Sequence, residues 1–318
     1  MSLQQWETYY RGGALATGPA GRDGLYDLEV RAAWEGFFAL MPAQARLLDI
    51  GTGNGVLPLI ALEVAAARAA QWQIDATDLA RIDPPRFVAD GARRFAGVRF
   101  HAGVASEQLP FEDACFDGVS GHYALEYSDT TRALAEVMRV LKPGGEAQFV
   151  LHHADSLLLG SARRSLADAD LVFKQTKLYR RLHKLLTMEQ NGGEALKRAS
   201  DEVVAAIRSL RSAFEARRAA GDSAQILAVA LDAAQKLLAA RTQLRPEQVG
   251  LEVDRAEEEL RTAARRLNDL VAHALDAEAA QRLRATAEAT GFTGVELGLL
   301  HHNGDHLVGW LLSLRRPR

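Results

Sequence analysis

The sequence predicts an α/β fold: a doubly wound, mostly parallel sheet with a terminal antiparallel hairpin, plus an all-helical insertion. Three observations carry this expectation. Over residues 46–154, short apolar runs alternate with helical stretches, the pattern of a parallel sheet covered on both faces. From 155 to 276 the chain turns to Ala, Leu, Arg and Glu with helical periodicity and no convincing strand. Strand signals return over 277–318, where Asn303-Gly304 lies between two apolar runs and reads as a hairpin.

Taken in order, residues 1–45 are aromatic and glycine-rich, with Trp6, Tyr9, Tyr10 and Gly12-Gly13, then a helix predicted from Leu28 to Leu40. Leu47–Ile50, Gln73–Thr77, Val98–Ala102 and Gly118–Ser120 read as four strands, with a helix from Leu57 to Ala70 after the first. A helix over Thr130–Leu141 is predicted to stop at Lys142-Pro143-Gly144-Gly145, a cation followed by Pro and Gly. Ala147–Leu151 reads as a fifth strand. The insertion reads as about four helices, broken at Asn191-Gly192-Gly193, Gly221-Asp222 and Arg245-Pro246. Its apolar stripe includes Val203, Ile207, Leu210 and Phe214. A helix from Ala277 to Ala289 then leads into strands at Gly294–Leu300 and Leu307–Leu314.

Composition narrows the function classes. The 318 residues carry a net charge of −3 with 25% charged side chains, so overall balance recruits neither nucleic acid nor an anionic membrane. One cysteine, Cys115, excludes an intrachain disulfide and points to a reducing, cytoplasmic setting. Neither a membrane helix nor a signal peptide is expected. High Ala and Arg content points to a bacterial source with a GC-rich genome.

The segment with the most chemistry is Leu48-Asp49-Ile50-Gly51-Thr52-Gly53-Asn54-Gly55, between a predicted strand and a predicted helix. Glycines there let the backbone turn sharply and approach a ligand, and the helix N-terminus offers free N–H groups. The dinucleotide fingerprint G-x-G-x-x-G is not met, because position 56 is Val and the third glycine comes one residue early. Asp78 follows 23 residues after Gly55, at the end of the second strand, where a carboxylate can accept from both hydroxyls of a ribose.

This loop resembles motif I of the Rossmann-like class I S-adenosylmethionine-dependent methyltransferases. Leu109–Asp117 resembles that family's approach to strand four, and Ala133–Gly145 its helix and turn before strand five. The type is similar to small-molecule methyltransferases of quinone and biotin biosynthesis. The resemblance covers about 46–153 and is silent on 155–276. It implies S-adenosylmethionine as cofactor, with S-adenosylhomocysteine as product. It implies a cofactor site built from Tyr10, Asp49, Gly51, Thr52, Gly53, Asn54, Gly55, Asp78, Leu79, Ala105, Ser106 and His122. The family often has an aspartate after strand three for the adenine amino group; Ala105 stands there, with Ser106 or Glu107 as substitutes.

Chemistry is expected at the carboxyl ends of strands four and five. The candidates for catalysis are His122, Tyr123, Tyr127, His152 and His153, a histidine being best poised to take a proton near neutral pH. Strand alternation lets only one of His152 and His153 face a pocket. His152, His153, His301, His302 and His306, even with Asp305 or Glu126, lack a tight ligand spacing, so no metal is expected. Trp6, Tyr9, Tyr10 and Arg11 are read either as a lid over the cofactor or as an anchor for the first helix.

The expected domain plan is an N-terminal lid segment (1–45), a cofactor-binding core (46–154 with 277–318) and a helical insertion (155–276). The insertion is read as a cap that shapes acceptor choice and supports a homodimer. The leading function is methyl transfer to oxygen or nitrogen of a small molecule. A protein methyltransferase and a non-catalytic scaffold for a partner are the alternatives.

Overall fold

A computed structural model of the chain describes residues 3–17, 20–21, 24–188, 193–241 and 245–318. Contacts divide it into two compact units, Met1–Leu159 with Ala272–Arg318, and Gly160–Val271.

The first unit opens with α1 (Gln4–Arg11) and α2 (Leu28–Ala39), then β1 (Gln44–Ile50), α3 (Val56–Ala67) and β2 (Gln71–Asp78). Two single-turn helices, α4 (Pro84–Phe87) and α5 (Gly91–Arg94), precede β3 (Val98–Ala102). β4 (Phe116–His122) is followed by a 3-10 turn (Leu125–Tyr127), α6 (Thr130–Val140) and β5 (Leu141–His152). Then come α7 (Leu157–Asp170), a π turn (Leu171–Gln175), α8 (Leu178–Thr187), α9 (Gly193–Ala219), α10 (Gln225–Ala240) and α11 (Pro246–His273). α12 (Ala277–Thr290), β6 (Thr293–His302) and β7 (His306–Arg315) end the chain.

The seven strands run in the order β3-β2-β1-β4-β5-β7-β6. β1 to β5 pair parallel, while β7 runs antiparallel to both β5 and β6. The predicted α/β class and terminal hairpin are therefore observed. The hairpin closes through the three-residue loop Asn303-Gly304-Asp305, in which Asn303 and Gly304 both take positive φ. Glu29 accepts their N–H groups at 2.8 and 3.3 Å.

Each face of the sheet has its own apolar layer. One gathers Trp34, Phe37, Phe38, Leu57 and Ile60 from α2 and α3. The other gathers Leu134, Val137, Ala280 and Leu283 from α6 and α12. Order reverses between β1 and β4, so the fold places its crevice outside the carboxyl ends of those two strands.

Two local expectations need correcting. The helix stop is not built as predicted: α6 ends at Val140, and β5 already starts at Leu141. The Lys-Pro-Gly-Gly run is a bulge in β5, where pairing jumps from Phe116↔Leu141 to Gly118↔Glu146. Lys142 lies outside the helix and binds Asp117 at 2.7 Å. Arg139 is the cation of the last turn, donating to Glu136, Asp113 and the Leu109 and Phe111 carbonyls.

The second correction concerns the helical segment, where the described residues hold five α-helices, α7 to α11. The extra break between α7 and α8 is the π turn, followed by Lys177 at φ +50. Neither Gly nor Pro marks it. Unit 160–271 has its own core, including Val203, Leu210, Leu227 and Val253, with Ile207 and Phe214 packed against it. The expected break at Asn191-Gly192 lies outside the described residues. Among the described residues no helix is long and apolar enough to cross a membrane.

Candidate functional site

A concave cleft of the first unit lies at the β1/β4 crevice. It encloses about 720 Å³, part of it open solvent. Its walls are Leu3, Trp6, Tyr10, Ile50, Gly51, Asp78, Leu79, Ala80, Val104, Ser106, Glu107, Tyr123, Ala124, Tyr127 and Ser128.

The glycine loop forms one side. Gly51 and Gly53 have φ of +64° and +53°, a region that costs an L residue about 1–2 kcal/mol. Space is short as well. A Cβ on Gly51 would meet the Ala124 methyl at 2.3 Å, and one on Gly53 would meet the Tyr10 ring at 2.8 Å.

Asp78 closes the loop from β2. Its Oδ2 accepts the Gly53 N–H at 2.9 Å and its Oδ1 the Ala80 N–H at 2.8 Å. Burial pushes its pKa up to about 6 against those two N–H bonds. Each carboxylate oxygen keeps a lone pair for a hydroxyl donor. Asp49 points elsewhere: it is buried, accepts the Ser120 hydroxyl at 2.7 Å on neighbouring β4, and burial lifts its pKa to about 7.

The N-terminal aromatics form the opposite wall. Trp6 stacks on Tyr10 with centroids 6.2 Å apart and meets Tyr127 edge-on at 5.5 Å. Asn54 holds this segment by donating to the Tyr10 and Ala14 carbonyls at 2.9 and 2.8 Å.

Of the residues expected at the cofactor, Tyr10, Gly51, Asp78, Leu79 and Ser106 line the cleft. Thr52, Gly53, Asn54 and Gly55 shape the loop behind it, and Gly55 begins α3 with φ +83°. Ala105 is not on the wall, whereas its neighbours Val104 and Ser106 are. Ser106 donates to Glu107 at 3.2 Å, and Glu107 accepts the Asp129 N–H at 2.9 Å.

The catalytic candidates divide. Tyr123 and Tyr127 line the cleft. Tyr123 has φ +55° and donates its hydroxyl to the Val308 carbonyl at 3.1 Å. Burial holds its pKa well above the usual phenol value. His122 lies behind the wall, stacked on Tyr26 at 4.2 Å. Its Nδ1 accepts the Trp34 indole N–H at 3.0 Å, so in the neutral ring Nε2 carries the proton. Burial keeps the ring neutral, with a pKa well below the usual imidazole value. It is therefore a donor in this arrangement rather than a ready base.

His152 and His153 occupy different surroundings, as strand alternation requires. His153 stacks on Trp310 at 4.5 Å, and its Nδ1 accepts the Asp155 N–H at 2.9 Å. His152 stacks on the Tyr123 ring at 3.8 Å, one ring behind the cleft wall. Burial and nearby His273 push its pKa down to about 3.

Sequence reasoning did not single out Glu126 as an acid–base group. It sits in the 3-10 turn between the wall residues Ala124 and Tyr127, 6% exposed. Its Oε1 accepts the His152 backbone N–H at 2.7 Å, and burial lifts its pKa to about 8. The available signal was an acid in the otherwise apolar run Tyr123-Ala124-Leu125. His301, His302 and His306 lie at the hairpin tip, with His302 Nδ1 3.5 Å from Asp27. Among the described residues no three His, Cys, Asp or Glu side chains gather as metal ligands.

Comparison with known proteins gives this geometry a family. Residues 48–149 match a family model described as a methyltransferase domain. A demethylmenaquinone methyltransferase of Deinococcus radiodurans is 37% identical over 113 residues, covering 34% of this chain and 43% of that one. A ubiquinone/menaquinone biosynthesis C-methyltransferase of Acidiphilium cryptum is 36% identical over 125 residues, covering 38% and 49%. The YcgJ structure from Bacillus subtilis aligns with 26% identity and a TM-score of 0.31, over 44% of this chain and 58% of that one. The chain spans less than half the length of the curated relatives it matches.

The residues present fit the cofactor this family uses. The glycine loop has no room for a Cβ, and Asp78 offers lone pairs at the cleft. The strand order, the loop and the match over residues 48–149 agree, and this stretch of the chain is a methyltransferase domain.

Proposed function

We propose that this chain transfers a methyl group from S-adenosylmethionine to a small hydroxylated aromatic acceptor. One observation carries the reading. The cleft at the β1/β4 crevice joins the Gly51 loop and Asp78 to a wall of Trp6, Tyr10, Tyr123 and Tyr127. Aromatic walls favour a flat ring and exclude water. The relatives named for quinone methylation support such an acceptor and add a ring carbon to the oxygen or nitrogen expected from sequence.

When bound, S-adenosylmethionine supplies a methyl carbon activated by its sulfonium. Asp78 would hold the ribose hydroxyls, and the Gly51–Gly55 loop would receive the amino-acid end. Tyr10 and Trp6 would shield the site from water, with their π faces available to a cation. Aligning donor and acceptor supplies most of the acceleration such a displacement needs.

The test is calorimetric titration of S-adenosylhomocysteine into the wild type and Asp78→Ala. Losing two charge-assisted hydrogen bonds is expected to cost about 2–3 kcal/mol, roughly a 30- to 150-fold weaker Kd. Equal affinities would remove Asp78 from the site, and a wild type that does not bind would remove the function.

We also assign residues 160–271 to acceptor choice and to pairing of chains. Support comes from connectivity, since the segment leaves shortly after β5 and returns before α12. Leu251 and Val204, exposed by 70% and 50%, are large apolar side chains that it presents to solvent. Replacing 160–271 with a short linker is expected to keep S-adenosylhomocysteine affinity and abolish turnover. A linker variant with full turnover would end this assignment.

A further inference from the structure

Within unit 160–271, the chain between α7 and α8 is built in an unusual way. Leu171–Gln175 winds into a π turn. Thr176 closes it, donating its N–H to the Leu171 carbonyl at 2.9 Å and its hydroxyl to the Leu171 and Val172 carbonyls at 2.9 and 3.1 Å. Lys177 then takes φ +50°, and α8 begins at Leu178. A π turn and a left-handed lysine are both unfavourable locally, and such features concentrate at functional sites. Here they bring Phe173, Lys177, Tyr179 and Arg180 to one cavity, together with Glu257 and Arg261 of α11. The cavity encloses about 540 Å³, part of it open solvent.

Tyr179 is the telling residue. It is 2% exposed, and its hydroxyl is buried without a hydrogen-bond partner. Its ring stacks on Phe173 with centroids 6.0 Å apart. Burial, with Glu257 and Glu259 nearby, holds its pKa above the usual phenol value, so the hydroxyl keeps its proton and is a donor lacking an acceptor. Glu257 is engaged elsewhere, accepting the Arg261 Nε–H at 2.9 Å. The same guanidinium lies over the Phe173 ring, 4.3 Å from its centroid, which fixes Arg261 at the cavity.

The charges around that hydroxyl are unbalanced. Lys177 and Arg180 are exposed, and among the described residues no carboxylate pairs with either. Lysines on either side along the chain are paired, Lys174 with Asp170 at 2.8 Å and Lys184 with Glu202 at 3.9 Å. No side chain caps the start of α8, so the positive end of that helix adds to the surplus.

We propose that this cavity binds a dianionic phosphate group, carried by free phosphate or by a small phosphate monoester. The polar groups around it that lack partners are all donors: the Tyr179 hydroxyl, the Lys177 ammonium and the Arg180 guanidinium. Three cations stand against one carboxylate on the wall, a balance that suits a doubly charged anion. Phosphate presents several acceptor oxygens to donors converging from separate side chains, and a guanidinium fork matches its geometry. A carboxylate has one charge and two oxygens and leaves part of this donor set unused. The inference does not depend on methyl transfer, since every residue in it belongs to unit 160–271.

The experiment is calorimetric titration of inorganic phosphate, phenyl phosphate and acetate into the full chain, as wild type, Tyr179→Phe and Arg180→Gln. The wild type is expected to bind phosphate about 10-fold or more tighter than acetate. Tyr179→Phe removes a single oxygen and is expected to weaken phosphate binding about 10-fold or more, the loss of one hydrogen bond to a charged group. Arg180→Gln is expected to weaken it by a similar factor, at an exposed position where folding is not at stake. Melting without phosphate supplies a readout independent of binding. Tyr179→Phe is expected to melt no lower than the wild type, because its hydroxyl has no partner to lose. Saturating phosphate is expected to raise the melting temperature of the wild type more than that of either variant.

A phenyl phosphate Kd below that of inorganic phosphate would identify a monoester, and equal values free phosphate; both support the site. Four results would overturn it. One is a wild type that binds neither phosphate compound. Another is equal affinity in the wild type and both variants, which would place the anion elsewhere. Acetate bound as tightly as phosphate would remove the dianion. A Tyr179→Phe variant melting several degrees lower would mean that the hydroxyl already bonds within the protein. Failure of the wild type to bind S-adenosylhomocysteine would strike the methyl-transfer reading and leave this site standing.

Discussion

Trp34→Ala is expected to lower the stability of the first unit by about 3–5 kcal/mol, the range for deleting a large buried aromatic. Trp34 is fully buried in α2 and packs against Phe37 and Phe38, with centroids 6.1 and 6.2 Å away. Its indole N–H is also the partner of His122 Nδ1. Removing the indole therefore opens a cavity and leaves a buried acceptor unpaired, two penalties at one site. At roughly 2–4 °C per kcal/mol, melting should fall by on the order of 10 °C. Trp34→Phe separates the terms, because it keeps most of the ring volume and loses only the donor. It is expected to cost about 1–2 kcal/mol. Denaturant unfolding of both variants checks this. A Trp34→Ala loss below about 1 kcal/mol would mean that α2 does not pack on the sheet as described.

That bond also shows where sequence reasoning stops. His122 was legible as a chemical type at the end of a strand. Its tautomer was not, because Trp34 lies 88 positions away and only the packing of α2 brings it near. Glu126 is similar. Its burial arises where β4 and β5 pair, and its Oε1 is occupied by the backbone of β5. No local pattern encodes that.

Backbone chemistry was easier to read, since it depends on near neighbours. Strand centres such as Leu47–Ile50 and Val98–Ala102 follow from apolar runs bounded by breakers. The ends do not. β5 starts six residues before the predicted Ala147, because Leu141 pairs with Phe116 and the Gly144 N–H bonds the Arg316 carbonyl at 3.0 Å. Those contacts hold Pro143 and Gly144 in a bulge that local propensity reads as a stop. The glycine loop was legible for the same reason in reverse. Positive φ at Gly51, Gly53 and Gly55 is a property of the residue type itself.

The loop supplies the other large effect. Gly51→Val is expected to abolish S-adenosylhomocysteine binding, with a loss of more than about 100-fold, equivalent to about 2.7 kcal/mol or more. Two costs combine. A residue with a Cβ at φ +64° is strained by about 1–2 kcal/mol, and more when β-branched. The new Cβ would also sit 2.3 Å from the Ala124 methyl, so β1 and the turn after β4 must move apart, at about 1–3 kcal/mol. Both segments line the cleft, so the relief of the clash is itself a change in the cleft. Gly97→Ala is the control. Gly97 has φ +91° but nothing within 4 Å of its Cβ position, and it lies outside the cleft. That variant should carry only the backbone strain: a modest fall in melting temperature with unchanged affinity. If Gly51→Val instead bound S-adenosylhomocysteine like the wild type, close approach at Gly51 would not matter to the cofactor. The carboxyl end of β1 would then have to be replaced as the binding edge.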